Sequence, residues 1–169
     1  MKWVTVETIC LLFSVLIGFV LNVLAVFLPY WIVETNYNIR ALTYSVGIIP
    51  FHFAYEAPFH IATSVMMLTA FVLYVFLVGF LVFALISCLV QKYKLCKTGY
   101  LLVGILSAIV AILQISSFIA MQIGMKMYIA SIYYQQPQLG GCVYLTLSSG
   151  ILCLISVLLA IILSKTKLA

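Results

Sequence analysis

Hydrophobic positions fall in four long, nearly unbroken runs at 4–28, 61–90, 100–123 and 142–163, and the segments between them hold most of the charge. About 20 apolar residues in helical form cross a bilayer core of about 30 Å, and each run reaches that length. The runs are apolar on every face and lack the two-residue alternation of a barrel strand. A spanning segment must satisfy its backbone hydrogen bonds internally, so each run predicts a transmembrane helix. The fold class expected is therefore an all-α integral membrane protein, a four-transmembrane-helix bundle formed as a single domain over 1–169. Its spans should lie near 4–29, 61–90, 100–126 and 141–164, with outer loops at 30–60 and 127–140 and a cytoplasmic link at 91–99.

Composition excludes a water-soluble alternative: 67% of residues are hydrophobic and 7% charged, with mean hydropathy +1.33. A soluble domain of this size could not bury so much apolar surface. The placement of charge then sets the topology. Lys2, Lys92, Lys94, Lys97, Lys165 and Lys167 fall on one side of a chain that crosses four times, and Arg40 and Lys126 on the other. Lysine-rich short segments stay in the cytoplasm, which puts both termini inside; the plasma membrane is the default location for this layout. The net charge of +5 is mainly a topology determinant; no basic patch with readable polar neighbours points to nucleic acid. Run one follows Met1-Lys2 like a signal peptide, but its apolar stretch is too long and no small-x-small cleavage pattern follows, so it reads as an uncleaved helix.

Helices in lipid associate where small residues allow close approach and where polar side chains find partners. Ser14, Gly18 and Asn22 form such a stripe in helix one. Ser116, Ala120 and Gly124 form another in helix three, preceded by Gly104 and Ala108, and helix four carries Ser156, Ala160 and Ser164. Asn22 and Gln114 should turn inward, since an amide facing lipid leaves its donors and acceptors unpaired. Glu7 is the only acidic residue inside a run and lies too close to the membrane edge for a proton-coupled translocation path.

The segment 30–60 is too long and apolar for a plain connector. Stretches 41–46 and 48–54 favour strands and are divided by Gly47, predicting a small sheet on the outer helix ends. Trp31, Tyr37, Tyr44, Phe51, Phe53 and Tyr55 form the candidate partner surface, because aromatic anchors within a polar rim suit selective protein contacts. His52 and His60 have no spacing that fixes a metal site, and no Asn-x-Ser/Thr sequon occurs. Only Cys142 lies near the outer surface, so no outer disulfide is expected. Cys88 and Cys96, near the cytoplasmic lysines, are candidates for palmitoylation.

Trp31 in Leu28-Pro29-Tyr30-Trp31, the opening of helix three at Gly99-Tyr100-Leu101-Leu102-Val103-Gly104, and Gly141-Cys142-Val143-Tyr144 leading into helix four carry a family likeness. With the helix order and longer first outer loop, the chain resembles the claudin, peripheral-myelin-protein-22 and epithelial-membrane-protein superfamily. The resemblance implies an outer sheet, lateral association, and roles in junctions, myelin-like membranes or as auxiliary channel subunits. The first outer loop lacks the Gly-Leu-Trp signature and the cysteine pair of claudins. That departure counts against a standard paracellular barrier and leaves an auxiliary or assembly role intact.

No cluster of ionisable residues is arranged for acid–base, metal or nucleophilic chemistry, so the reading is a non-enzymatic interaction protein without a cofactor. Its expected partners are membrane lipids and an integral membrane protein or a second copy, as in an auxiliary subunit of a channel-like complex. A claudin-like adhesion or junction protein, a self-associating transporter or pore, and a membrane-embedded transferase are the alternatives. The transferase would need cationic side chains to hold a charged cosubstrate, and Arg40 is the only arginine.

Overall fold

A computed structural model of the chain describes residues 6–36, 42–48, 58–90, 92–131 and 138–165. Four helices carry the fold: α1 (Val6–Phe27), α2 (Pro58–Leu89), α3 (Tyr93–Ser131) and α4 (Gly141–Lys165). Each is long and apolar enough to cross a membrane. Proline opens α2, where its missing N–H would have had no helical acceptor. The 39 residues of α3 extend about 58 Å at 1.5 Å per residue, so this helix must run well past the hydrocarbon core.

The main departure from the expected boundaries is at the start of α3, which begins at Tyr93 and reduces the link to 90–92. Lysine, threonine and cysteine mark the end of the hydrocarbon layer without ending a helix. The backbone shows the continuity: Cys96 N donates to Lys92 O at 3.0 Å, and Thr98 Oγ1 donates to Lys94 O at 3.0 Å. Polarity was a guide to depth here and a poor guide to conformation.

Helix α3 packs along both α2 and α4, α1 packs along α4, and α1 touches α2 more lightly. Leu11, Val15, Tyr74, Leu77, Val110 and Cys153 belong to the central core. A second core, at the end of the bundle that carries the sheet, gathers Val26, Trp31, Ile48, Met67, Met121 and Val143. The outward faces keep large apolar side chains such as Phe13, Phe76, Ile112 and Leu158. In lipid such residues need no cover, because hydrocarbon tails are as apolar as they are.

A three-stranded antiparallel sheet lies between the helix ends, with β1 (Ile32–Asn36) central, β2 (Leu42–Val46) on one side and β3 (Gln138–Leu139) on the other. Ile32 pairs with both Val46 and Leu139. The expected strand at 41–46 is β2. It pairs with β1. Of the other expected strand stretch, 48–54, only Ile48 is described, in a bend and buried. The β-branched residues Ile32, Val33 and Thr35 were the available signal for β1.

Candidate functional site

Two places concentrate the chain's polar chemistry: a seam through the middle of the bundle and the junction between sheet and helices. The seam is organised by α4. Gln114 Nε2 on α3 donates to Ser149 Oγ at 2.9 Å, and Ser149 Oγ donates to Gly18 O on α1 at 2.7 Å. Farther along α4, Ser156 Oγ donates to Ser14 Oγ at 3.1 Å, while Ser14 Oγ donates to Leu152 O at 2.9 Å. Cys153 Sγ lies 3.0 Å from Tyr74 Oη and links α4 to α2. One helix thus makes hydrogen-bonded contact with all three others.

Several residues of the expected small-residue stripes lie where helices approach closely. Gly18 is needed because an added Cβ would run into the Tyr74 hydroxyl, and Gly124 because it would meet the Phe59 ring. Gly104 faces Ala160, whose Cβ would be at 3.4 Å from a new one, an ordinary contact. Ser14, Asn22, Gln114, Ser156, Ala160 and Ser164 are buried. On α3 the expected stripe is displaced, with Ala108, Ser116 and Ala120 only half-buried. The inward line runs instead through Ser107, Ala111, Gln114, Ser117 and Met121. A helix rotates about 100° per residue, so a stripe placed one position away turns toward its flank. Both amides expected to turn inward are buried; Gln114 bonds to Ser149, and neither amide atom of Asn22 has a hydrogen-bond partner.

Tyr74, Ser149 and Cys153 were not singled out in the sequence. Tyr74 gave a readable signal, since a phenol deep in an apolar run needs a partner as much as Gln114 does. Ser149 gave almost none, because serine is common in membrane helices.

At the sheet junction Trp31 has no exposed surface. Its indole Nε1 donates to Ala25 O at the end of α1. Trp31 N donates to Val46 O at 3.0 Å, and Gly140 N donates to Trp31 O at 2.9 Å. Cys142 N donates to Tyr30 O at 3.1 Å, tying the start of α4 to the exit of α1. A Cβ on Gly140 would occupy the position of the Tyr30 carbonyl. Trp31 is accordingly a keystone between α1, the sheet and α4, which corrects its expected place on a partner surface. A large ring at a crowded junction is held by burial, and its N–H is satisfied by backbone. Tyr44 lies on β2 opposite Glu34. Tyr37, Phe51, Phe53, Tyr55 and His52 lie outside the described residues. His60 is buried at the start of α2.

Cys142 and Cys153 are buried free thiols, and Cys10 is an exposed one. Cys88 and Cys96 are joined to each other, with Cα atoms 5.2 Å apart. Palmitoylation of either sulfur, expected from the sequence, requires this bond to be open. Among the described residues no group of three or more His, Cys, Asp or Glu could hold a metal ion.

A sheet pinned across a four-helix membrane bundle, with a buried tryptophan just past the first helix, agrees with the comparison made along the whole sequence. The family model described as tight junction protein, claudin-like, matches residues 1–169. The chain belongs to the claudin-like family. No curated protein matches it. As a claudin-like chain it combines the four-helix bundle with a three-stranded sheet while lacking the cysteine pair of claudins in its first loop. In its place, the β1 ladder and the Trp31 contacts join the loop to the helices.

Proposed function

We propose that this claudin-like protein is a non-enzymatic interaction subunit that helps assemble or modulate a larger membrane complex such as a channel. In this reading it sits in the plasma membrane with both termini and the 90–92 link in the cytoplasm, and the sheet faces outward. The observation that carries the proposal is the pinned outer sheet. Its central strand is tied to both the exit of α1 and the entry of α4, which gives the adjoining loop a fixed base. A preorganised loop loses less freedom on binding than a free one, which favours selective contact. The lysine distribution supports the orientation. The claudin-like family is generally non-enzymatic, in line with this role.

Recovery from mild detergent tests the proposal directly. The full-length protein should co-purify with a defined integral membrane partner, and replacing 38–56 with a neutral loop should abolish that association while preserving insertion. Recovery only as a lone monomer in every gentle extraction would sink it. Family membership favours a second reading, adhesion between like chains at cell contacts. Mixed cultures separate the two, because an adhesion protein gathers at borders between expressing cells and an auxiliary subunit follows its partner wherever it resides.

A further inference from the structure

Cys88 and Cys96 are separated by eight residues, which on one continuous helix would place them about 12 Å apart. The short break at 90–92 folds the chain so that their Cα atoms stand 5.2 Å apart, within the span a disulfide bridges. Contacts besides the sulfurs themselves maintain this approach. Lys92 N donates to Ser87 O at 3.0 Å, and Cys96 N donates to Lys92 O at 3.0 Å, fixing the turn from both sides. One turn deeper, Gly99 lets α3 lie directly on α2; a Cβ there would come within 2.7 Å of the Ala84 Cβ. Tyr100 Oη is 3.7 Å from Cys88 Sγ. These contacts hold the helix ends in register beside the sulfur pair.

Exposure differs across the pair. Cys88 is half-buried, and Cys96 is fully buried. Lys92, Lys94 and Lys97, neighbours of Cys96 in sequence, are all exposed. Cytoplasm keeps most thiols reduced, and disulfides that form there are usually transient or redox-sensing. We propose that Cys88 and Cys96 form a peroxide-responsive bond that fastens α2 to α3, open in resting cytoplasm and closed under oxidation. This rests on the cytoplasmic placement of the 90–92 link proposed above.

The chemistry uses hydrogen peroxide as the two-electron oxidant. The Cys88 thiolate attacks one peroxide oxygen and breaks the O–O bond; the departing hydroxide takes up a proton, giving a sulfenic acid and water. The Cys96 thiolate then attacks the Cys88 sulfur, forming the S–S bond and expelling hydroxide, which is protonated to a second water. In sum two thiols and one peroxide give one disulfide and two waters. A cytosolic thiol reopens the bond by exchange at the more exposed Cys88 sulfur, and a second one releases Cys88 from the mixed disulfide as the two are oxidised to their own disulfide.

The test uses the full-length protein in cells, quenched in acid. Free thiols are blocked under denaturing conditions, disulfides are then reduced, and the newly freed sulfurs are tagged with a polymer maleimide. Resting cells should give untagged protein, and brief peroxide treatment a doubly tagged form that disappears after peroxide is removed. Mass spectrometry of the unreduced protein should find the peptides of Cys88 and Cys96 joined. Cys88→Ala should lose the doubly tagged form, and because the linked peptide is read in the unaltered chain, a folding defect in the variant cannot hide the answer. A pair that stays reduced while a cytosolic control dithiol oxidises would overturn the proposal. So would a bond already complete in resting cells. In that last case a reporter that lights up only when the C terminus is cytosolic tells the causes apart. A lit reporter condemns the switch alone, whereas a dark one condemns the topology beneath it.

Discussion

At the sheet end, α1 and α4 are fastened through main-chain hydrogen bonds between Tyr30, Trp31, Val46, Gly140 and Cys142, with an indole buried among them. At the other end, α2 and α3 meet at a short turn closed by two local main-chain hydrogen bonds, Lys92 N to Ser87 O and Cys96 N to Lys92 O, and are held by close packing of Gly99 on Ala84 and of Cys88 on Cys96. The contrast follows from the length of chain each end must manage. A short link has few backbone groups to satisfy, and Val90 N and Lys92 N find acceptors at the end of α2 itself. A 30-residue loop has many, and pairing them in a sheet is the inexpensive solution near a membrane. The sheet end should therefore fail when backbone geometry is disturbed, and the link end when volume is added.

The largest effect is expected at Gly140. Its Cβ position coincides with the Tyr30 carbonyl, and backbone cannot swing aside as a side chain can. Gly140→Val should cost on the order of 3–5 kcal/mol, within the range of the most damaging single changes. Amide hydrogen exchange in detergent should show lost protection at 30–33 and 138–143 while the helices stay protected. Full protection in the variant would mean the two ends do not differ in the way described.

Gly18→Leu comes next. The new side chain meets the Tyr74 hydroxyl in the packed centre of the bundle, an overpacking change of about 1–3 kcal/mol. Ala120→Leu is the informative control, because Ala120 is half-buried on the flank of α3 and can turn its extra carbons toward lipid. Reversible unfolding in mixed micelles should rank Gly18→Leu well above Ala120→Leu. Equal losses would restore Ala120 to the interface.

The architecture was legible because its cause is crude: four runs of hydrocarbon length leave a chain few other options in a bilayer. Helix ends were less legible where polar residues continued a helix beyond the lipid, as from Lys94 to Gly99. Gly18 and Gly124 lie against large side chains, Tyr74 and Phe59, on the faces their stripes marked. Stripe assignment slipped on α3, where Ser116 and Ser117 are adjacent and composition cannot say which faces in. Trp31 was noticed for its aromatic ring, but its role depends on β3, which lies more than a hundred residues away in sequence. No local pattern announces a contact of that range.

Trp31→Phe sharpens the sheet-end half of the comparison. It keeps an aromatic ring and removes the N–H donor to Ala25 O, so the loss should be about 1–2 kcal/mol, from one hydrogen bond and some volume. Exchange should rise at Trp31 and Ile32 more than at Gly99 and Tyr100. A uniform rise across both ends would show that the bundle opens as one unit and that the ends are not separately held.

The smallest effect distinguishes two amides inside the bundle. Gln114 donates to Ser149, which in turn donates to Gly18 O, so Gln114→Leu removes one link of a chain joining α3, α4 and α1. Polar contacts of this kind in membrane proteins average about 0.6 kcal/mol, and a loss near that value is expected. Asn22 is equally buried but has no hydrogen-bond partner for either amide atom. Leucine is only modestly larger than asparagine and carries no polar atom that must be satisfied. Asn22→Leu should therefore be neutral or slightly stabilising, since an unpaired buried amide carries a desolvation cost that the substitution removes. The two variants, unfolded side by side in the same micelles, should move in opposite directions or differ by about the value of one bond. Should Asn22→Leu prove the more damaging, the Asn22 amide has a partner in the membrane-bound protein, and the polar seam reaches farther toward the sheet than Ser149.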